Sequence, residues 1–210
     1  MRRRTARQRR RQGSRVDPYI SYLLLAGVGV GTWQMNRTWR QTLLWLLLLG
    51  AFLLYVEVRP VKPNYSLRSI GWGALLGAVV SVPLLLLAWR YLYGFVVQLF
   101  ATDDARLLFY QLVLVGAPVE ELYFRGLVQR EKGMPLSIAL YAAVALIYFV
   151  PGLHVPALAI VLITITYALT GSVYSYVYAR HGLSAAVTSH AVFNLIALLL
   201  PFLLQYLARI

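Results

Sequence analysis

The chain has 210 residues, of which 60% are hydrophobic and 13% are charged, and its formal net charge is +13. Soluble domains carry about 25% charged residues, so this composition excludes an ordinary soluble globular protein and predicts a membrane protein. The chain contains no cysteine, which excludes disulfides, thiol nucleophiles and thiolate metal sites.

Residues 1–18 form an arginine-rich tail. The stretch MRRRTARQRRRQGSR carries eight arginines and no acidic residue. A basic arm can bind nucleic acid, but it can also lie on anionic lipid headgroups and hold a segment on the cytoplasmic side of a membrane. Because apolar segments follow at once, we favour the second interpretation, with membrane lipids rather than nucleic acid as the partner.

Seven apolar spans follow in residues 19–210, which we interpret as one membrane-embedded helical domain. Most spans approach the roughly 17–25 residues that a membrane helix needs, and their continuous apolar runs favour helices over barrel strands. For the first two, which are short, a tilted or partial crossing or a hairpin stays open. The sequence therefore predicts an all-α, polytopic helix bundle with spans near residues 19–35, 42–57, 70–90, 106–127, 136–151, 156–179 and 183–207.

The distribution of basic residues predicts the orientation of this bundle. With the N-terminus inside, the inner segments hold 14 Lys and Arg and the outer segments hold five, leaving Arg125 within a span. Cytoplasmic segments are enriched in Lys and Arg. We therefore expect a cytoplasmic N-terminus and an external C-terminus.

Three polar clusters interrupt the apolar spans. An ionisable group at the bilayer centre costs at least about 2.5–3.5 kcal/mol, so such a residue indicates a functional site by default. The clusters are Glu120, Glu121 and Arg125 in VEELYFRG, His154 in YFVPGLH, and His190 and Asn194 in SHAVFN.

A purely structural ion pair is the alternative for the first cluster. Glu121 and Arg125 are four residues apart on a helix, so they share a face and can neutralise each other. Glu120 is rotated by about 100° from Glu121 and is left without a local partner. The ion pair therefore accounts for Glu121 but not for Glu120.

The remaining groups match the needs of amide hydrolysis. A carboxylate can take a proton from water, an imidazole can share that proton, and N–H donors can hold an oxyanion. No G-x-S-x-G motif occurs, so water is the predicted nucleophile. Glu120, His154 and His190 could alternatively hold zinc with an open fourth position, although no H-E-x-x-H motif is present.

The three clusters, in this order, resemble the CAAX-protease and bacteriocin-processing family of intramembrane endopeptidases. The family pattern is E-E-x-x-x-R, then F-x-x-x-H, then H-x-x-x-N, on successive membrane helices. EELYFR and HAVFN fit the first and third motifs. The middle motif departs from the pattern, because Val150 stands four residues before His154 and Phe149 comes one step too early. The resemblance covers about residues 106–200, the predicted protease-like core.

The resemblance implies a role for each matching residue. Glu120 would activate water with the help of His154. His190 and Asn194 would stabilise the oxyanion. Glu121 would support the site, and Arg125 would position a glutamate or contact substrate. The predicted site residues are thus Glu120, Glu121, Arg125, His154, His190 and Asn194. The family is usually taken to work without a metal, so we expect no cofactor and keep zinc as the alternative.

We therefore predict a membrane-embedded endopeptidase that cleaves a membrane-proximal or lipid-anchored peptide or protein. Some family members trim prenylated CAAX tails, and others process bacteriocins or give immunity to them. We expect the cell membrane of a prokaryote as its location. The alternatives are a non-catalytic scaffold or bacteriocin-immunity-type binding protein, and a transporter that uses Glu120 and the histidines as a proton relay.

Overall fold

A computed structural model of the chain describes residues 16–61, 65–100, 102, 104–150 and 157–207. Within these residues the chain is 91% helical and contains no strand, which confirms the all-α prediction. The arginine-rich stretch 1–15 and His154 lie outside the described residues. The predictions made for them therefore stay predictions.

The described residues form seven helices, one for each predicted span. Five of them are long and apolar enough to cross a membrane, whereas α1 and α5 are shorter apolar helices. With 14 residues, α1 is about 21 Å long and falls short of a full perpendicular crossing. The helices are α1 (Pro18–Gly31), α2 (Arg37–Val58), α3 (Leu67–Phe100), α4 (Ala105–Lys132), α5 (Met134–Phe149), α6 (Ala157–His181) and α7 (residues 183–207).

The second helix begins earlier than its apolar span. Asn36 caps α2 by accepting a hydrogen bond from the Thr38 N–H, and the helix then takes in Arg40, which the charge count had placed in an outer loop. The Arg40 guanidinium is buried and donates to the carbonyls of Gly29 and Tyr148, at 2.9 Å each, and of Ile147. These carbonyls lie near the negative C-terminal ends of α1 and α5, which makes a buried arginine tolerable there.

Two glycines make single-residue connections between consecutive helices. Gly133 joins α4 to α5 with φ of 90°, and Gly182 joins α6 to α7 with φ of 89°. A side chain is strained at such positive φ values, which glycine adopts freely. These tight turns keep the helices that carry the polar clusters adjacent to their neighbours.

Close packing of α3 against α7 fixes the position of the last polar cluster. A Cβ atom at Gly73 would lie 2.3 Å from the Ala185 carbonyl oxygen, and one at Gly77 would lie 2.5 Å from that of Ser189. Small residues allow this approach of two membrane helices. Since Ser189 directly precedes His190, the contact holds this histidine at a set depth along α3.

Stretches of π-helix interrupt α4 and α7 beside the polar residues. In α4 they cover Tyr110–Gly116 and Leu122–Gln129, with Glu120 and Glu121 in the α-helical turn between them. Pro118 has no N–H to continue the α-helical ladder, which favours a local change of hydrogen bonding. A third stretch begins at Asn194. Widened turns of this kind often occur at functional sites.

Candidate active site

The two adjacent glutamates of α4 are both buried but face different partners. Glu120 is 4% exposed and Glu121 is fully buried. Successive residues of a helix are about 100° apart, so the two carboxylates leave α4 in different directions. Glu121 faces Arg125 and α7, and Glu120 faces α2 and a cavity.

Glu121 and Arg125 form the buried ion pair that their spacing predicts. Arg125 Nη1 is 3.2 Å from Glu121 Oε1, and both side chains are inaccessible to solvent. Arg125 Nη2 also donates to the Gly171 carbonyl of α6 at 2.9 Å. The guanidinium carbon lies 4.4 Å from the centre of the Tyr141 ring. Arg125 is thus held from three sides and compensates the charge of Glu121.

His190 bridges the two glutamates from α7. Its Nδ1 is 3.0 Å from Glu121 Oε1, and its Nε2 is 4.0 Å from Glu120 Oε2. The Tyr174 ring stacks on the imidazole with 4.6 Å between ring centres. A carboxylate paired with Arg125 acts as an acceptor, so the hydrogen of a neutral imidazole is expected on Nδ1. Glu121 thereby sets the tautomer of His190, and Nε2 points towards Glu120.

The hydrogen-bond partner of Glu120 comes from another helix, α2. Trp45 of α2 donates its indole Nε1–H to Glu120 Oε1 at 3.0 Å. Sequence reasoning missed Trp45. It lies in the apolar run LLWLLLLG, and this context does not distinguish a buried tryptophan from one that faces lipid. The other carboxylate oxygen of Glu120 faces the imidazole.

Asn194 lies one turn after His190 and connects α7 to α4. Its Nδ2 donates to the carbonyl of Leu112 at 2.9 Å. This bond uses one of the two amide hydrogens, and Asn194 also lines the cavity described below. The structure therefore brings together five of the six predicted site residues, with His154 outside the described part of the chain.

A cavity of about 400 Å³ opens in front of Glu120. Its polar end is formed by Glu120, Trp45, Tyr141, His190 and Asn194, and its remaining wall is mostly apolar. Exposed residues of α3 and α6, such as Tyr91 and Leu162, also line it. The cavity thus connects a buried carboxylate to the apolar outer surface between these two helices.

Two tyrosines of α5, Tyr141 and Tyr148, lie at the site but were not predicted from the sequence. The Tyr141 hydroxyl is 3.5 Å from His190 Nε2. The Tyr148 hydroxyl is buried close to Glu120, with which it interacts. The only signal for them was their spacing of seven residues, which places both on one helix face but does not say what that face contacts.

No three His, Asp or Glu side chains among the described residues are arranged to hold a metal ion. The zinc alternative also needs His154, which is outside that part of the chain. The remaining histidine, His181, stacks on Trp72 at 5.5 Å between ring centres and lies apart from the polar cluster.

Comparison with known proteins finds one family model that is similar to part of the chain. A family model described as type II CAAX prenyl endopeptidase Rce1-like matches residues 102–196. No curated protein and no solved structure matches the chain. The matched residues include all six predicted site residues, from Glu120 to Asn194, and the model describes a family of peptidases. The chain is therefore an integral membrane protein whose residues 102–196 match the family model of type II CAAX prenyl endopeptidases, Rce1-like.

Proposed function

We propose that the protein is an intramembrane endopeptidase in which Glu120 activates water for attack on a peptide bond. One observation carries this proposal: the buried carboxylate of Glu120 faces an apolar cavity with His190 Nε2 only 4.0 Å away. Burying a carboxylate inside a membrane protein costs free energy, so such a residue indicates a functional site by default. The family match to residues 102–196 supports the same reaction class.

Glu120 acts as a general base and then as a general acid in the proposed reaction. The water oxygen attacks the carbonyl carbon, its proton passes to the Glu120 carboxylate, and the C=O π electrons move to the carbonyl oxygen. Collapse of the tetrahedral intermediate then breaks the C–N bond, and Glu120 returns the proton to the leaving amine. Trp45 holds one oxygen of Glu120 and leaves the other to take the proton.

His190 is suited to orienting the water, rather than to stabilising the oxyanion as its motif implies. With its hydrogen on Nδ1, facing Glu121, the imidazole presents Nε2 as an acceptor beside Glu120. It can therefore hold one hydrogen of the water while Glu120 takes the other. The second amide hydrogen of Asn194 is available for the oxyanion, and His154 is proposed to assist Glu120, as its motif implies.

The cavity favours an apolar, membrane-proximal substrate. Its wall is mostly apolar, and it reaches the exposed surface of α3 and α6. A lipid-anchored peptide could enter there with its chain in the apolar part and its scissile bond at Glu120. A prenylated CAAX tail, the kind of substrate for which the matching family is named, is the first substrate to test.

A non-catalytic scaffold is the second candidate. Arg125 and Asn194 both donate to backbone carbonyls of neighbouring helices, so the polar cluster also joins α4, α6 and α7. A protein that kept the cluster only for this purpose would not need Glu120 to be ionisable. Replacing Glu120 by glutamine separates the two candidates, because the amide oxygen can still accept from Trp45.

The test measures cleavage of lipid-anchored peptides, including a prenylated CAAX tail, by the purified protein in detergent. We expect Glu120→Gln to lose cleavage almost completely, and Glu57→Gln, the same change at an exposed position of α2, to behave as the wild type. Equal cleavage by wild type and Glu120→Gln would contradict the proposal. Loss of wild-type cleavage in chelator would assign the reaction to a metal instead.

A further inference from the structure

The hydroxyl group of Tyr141 lies at the polar end of the cavity and has no part in the steps above. Its oxygen is 3.5 Å from His190 Nε2, and the residue is only 2% exposed. Tyr141, Glu120 and His190 all line the cavity. The base, the imidazole and this hydroxyl therefore face one space.

The tautomer of His190 decides which of these groups can donate a hydrogen bond. Glu121 pairs with Arg125 and accepts from Nδ1, so the hydrogen of a neutral imidazole is on that nitrogen. Nε2 then carries a lone pair towards the cavity. It can accept a hydrogen bond from Tyr141, but it cannot donate one to an oxyanion.

The other donors at this end of the cavity are partly engaged. The indole N–H of Trp45 donates to Glu120, and Asn194 donates one of its two amide hydrogens to the Leu112 carbonyl. Amide hydrolysis places a negative charge on the former carbonyl oxygen, and a site with apolar walls needs fixed donors to stabilise it. A hydroxyl hydrogen rotates about its C–O bond, so that of Tyr141 can turn from Nε2 towards this oxygen.

We propose that Tyr141 is a further catalytic residue, whose hydroxyl group donates a hydrogen bond to the oxyanion of the tetrahedral intermediate. The proposal rests on the endopeptidase activity proposed above. In the resting site the hydroxyl faces His190 Nε2 and Glu120. When substrate binds, it turns to the substrate carbonyl oxygen, which leaves the lone pair of Nε2 to hold the water.

The Tyr141 ring has a separate, structural part that a test must leave intact. It lies under the Arg125 guanidinium and packs edge-on against the His190 ring, with 6.1 Å between ring centres. Phenylalanine keeps both contacts, so Tyr141→Phe removes the hydroxyl alone. Tyr22→Phe is the matched control, since the Tyr22 hydroxyl donates to the carbonyl of Leu140, next to Tyr141, without lining the cavity.

The first measurement is steady-state cleavage of a fluorogenic prenylated CAAX peptide by the full chain. Loss of one oxyanion donor lowers kcat by about 100-fold to 1,000-fold, so we expect that loss for Tyr141→Phe with KM and melting temperature unchanged. Tyr22→Phe should retain the wild-type kcat. A Tyr141→Phe enzyme with kcat within about threefold of the wild type, beside an inactive Glu120→Gln, overturns the role of Tyr141 and leaves that of Glu120 standing.

The second measurement does not depend on cleavage. The ¹⁵N resonance of His190 Nε2, assigned by its disappearance in His190→Ala, reports whether this nitrogen accepts a hydrogen bond. We expect it to shift in Tyr141→Phe and to stay in place in Tyr22→Phe. An unchanged resonance in Tyr141→Phe means that the hydroxyl does not engage the imidazole, and the proposal then fails.

Discussion

At the scale of single residues, the site is organised by what each buried polar atom can accept or donate. Glu121 compensates Arg125 and accepts from His190 Nδ1, so it would influence the proposed reaction through His190. Glu120 has one oxygen held by Trp45 and one oxygen facing the imidazole. Two adjacent carboxylates therefore have different environments, which suits different tasks.

The indole N–H of Trp45 is expected to keep Glu120 in its working position. Trp45→Phe keeps a ring in the core but removes a hydrogen bond to a charged acceptor, which contributes about 1.5–3 kcal/mol. We expect kcat/KM to fall roughly 10-fold to 100-fold, as measured by peptide cleavage. Trp39→Phe changes an exposed tryptophan on the same helix and should leave cleavage unchanged. Equal activity of Trp45→Phe and the wild type would show that Glu120 needs no help from α2.

At the scale of helices, the site depends on how closely α7 approaches α3 and how α4 is wound. The glycines of α3 let the α7 backbone come within contact of α3 just before His190. In α4, Glu120 and Glu121 lie in a short α-helical turn between two π-helical stretches. In α7, another π-helical stretch begins at Asn194. The polar residues are thus set by backbone geometry as well as by side-chain contacts.

A side chain at Gly77 is expected to displace α7. The Cβ of Gly77→Val would lie 2.5 Å from the Ser189 carbonyl oxygen, and a backbone atom cannot rotate away as a side chain can. We expect about 1–3 kcal/mol of destabilisation and roughly 100-fold slower cleavage, because small displacements of catalytic groups are costly. The measurements are the melting temperature and kcat.

Gly71→Val is the control for this prediction. It introduces the same side chain six residues earlier on α3, where a Cβ meets nothing within 4 Å. It should therefore leave both the melting temperature and kcat near their wild-type values. If Gly77→Val behaved in the same way, the close contact with α7 would not position His190.

At the scale of the whole molecule, an apolar cavity joins the polar cluster to the outer surface. Among the described residues, five helices are long and apolar enough to cross a membrane, and exposed residues of two of them, α3 and α6, line the cavity. A substrate anchored in lipid could therefore reach Glu120 without passing through water. The predicted cytoplasmic N-terminus rests on charge bias, since 14 of the counted Lys and Arg are on that side.

Filling the cavity from α6 is expected to weaken substrate binding. Ala159 lines the cavity, so Ala159→Trp puts a large ring where the lipid chain of a substrate would lie. We expect KM for a lipid-anchored peptide to rise roughly tenfold or more, equivalent to about 1.4 kcal/mol, with kcat little changed. Val161→Trp adds the same ring at an exposed position that does not line the cavity, and its KM should match the wild type. A normal KM for Ala159→Trp would exclude this route.

The sequence alone determined the features that depend on local chemistry. Hydropathy placed seven helices, because partition into lipid is decided segment by segment. The i, i+4 spacing predicted the ion pair of Glu121 and Arg125, because helix geometry brings such residues together. Five of the six residues chosen from motifs lie around one buried cluster, and His154 stays a prediction.

Only the tertiary structure decided which helices meet. Trp45 reaches Glu120 across 75 positions, Tyr141 reaches His190 across 49, and Arg40 is buried among carbonyls of two other helices. In a membrane helix the face towards lipid and the face towards a neighbour are both apolar, so periodicity does not tell them apart. The partners of the Glu120 carboxylate are therefore set by the packing of helices that lie far apart in the sequence.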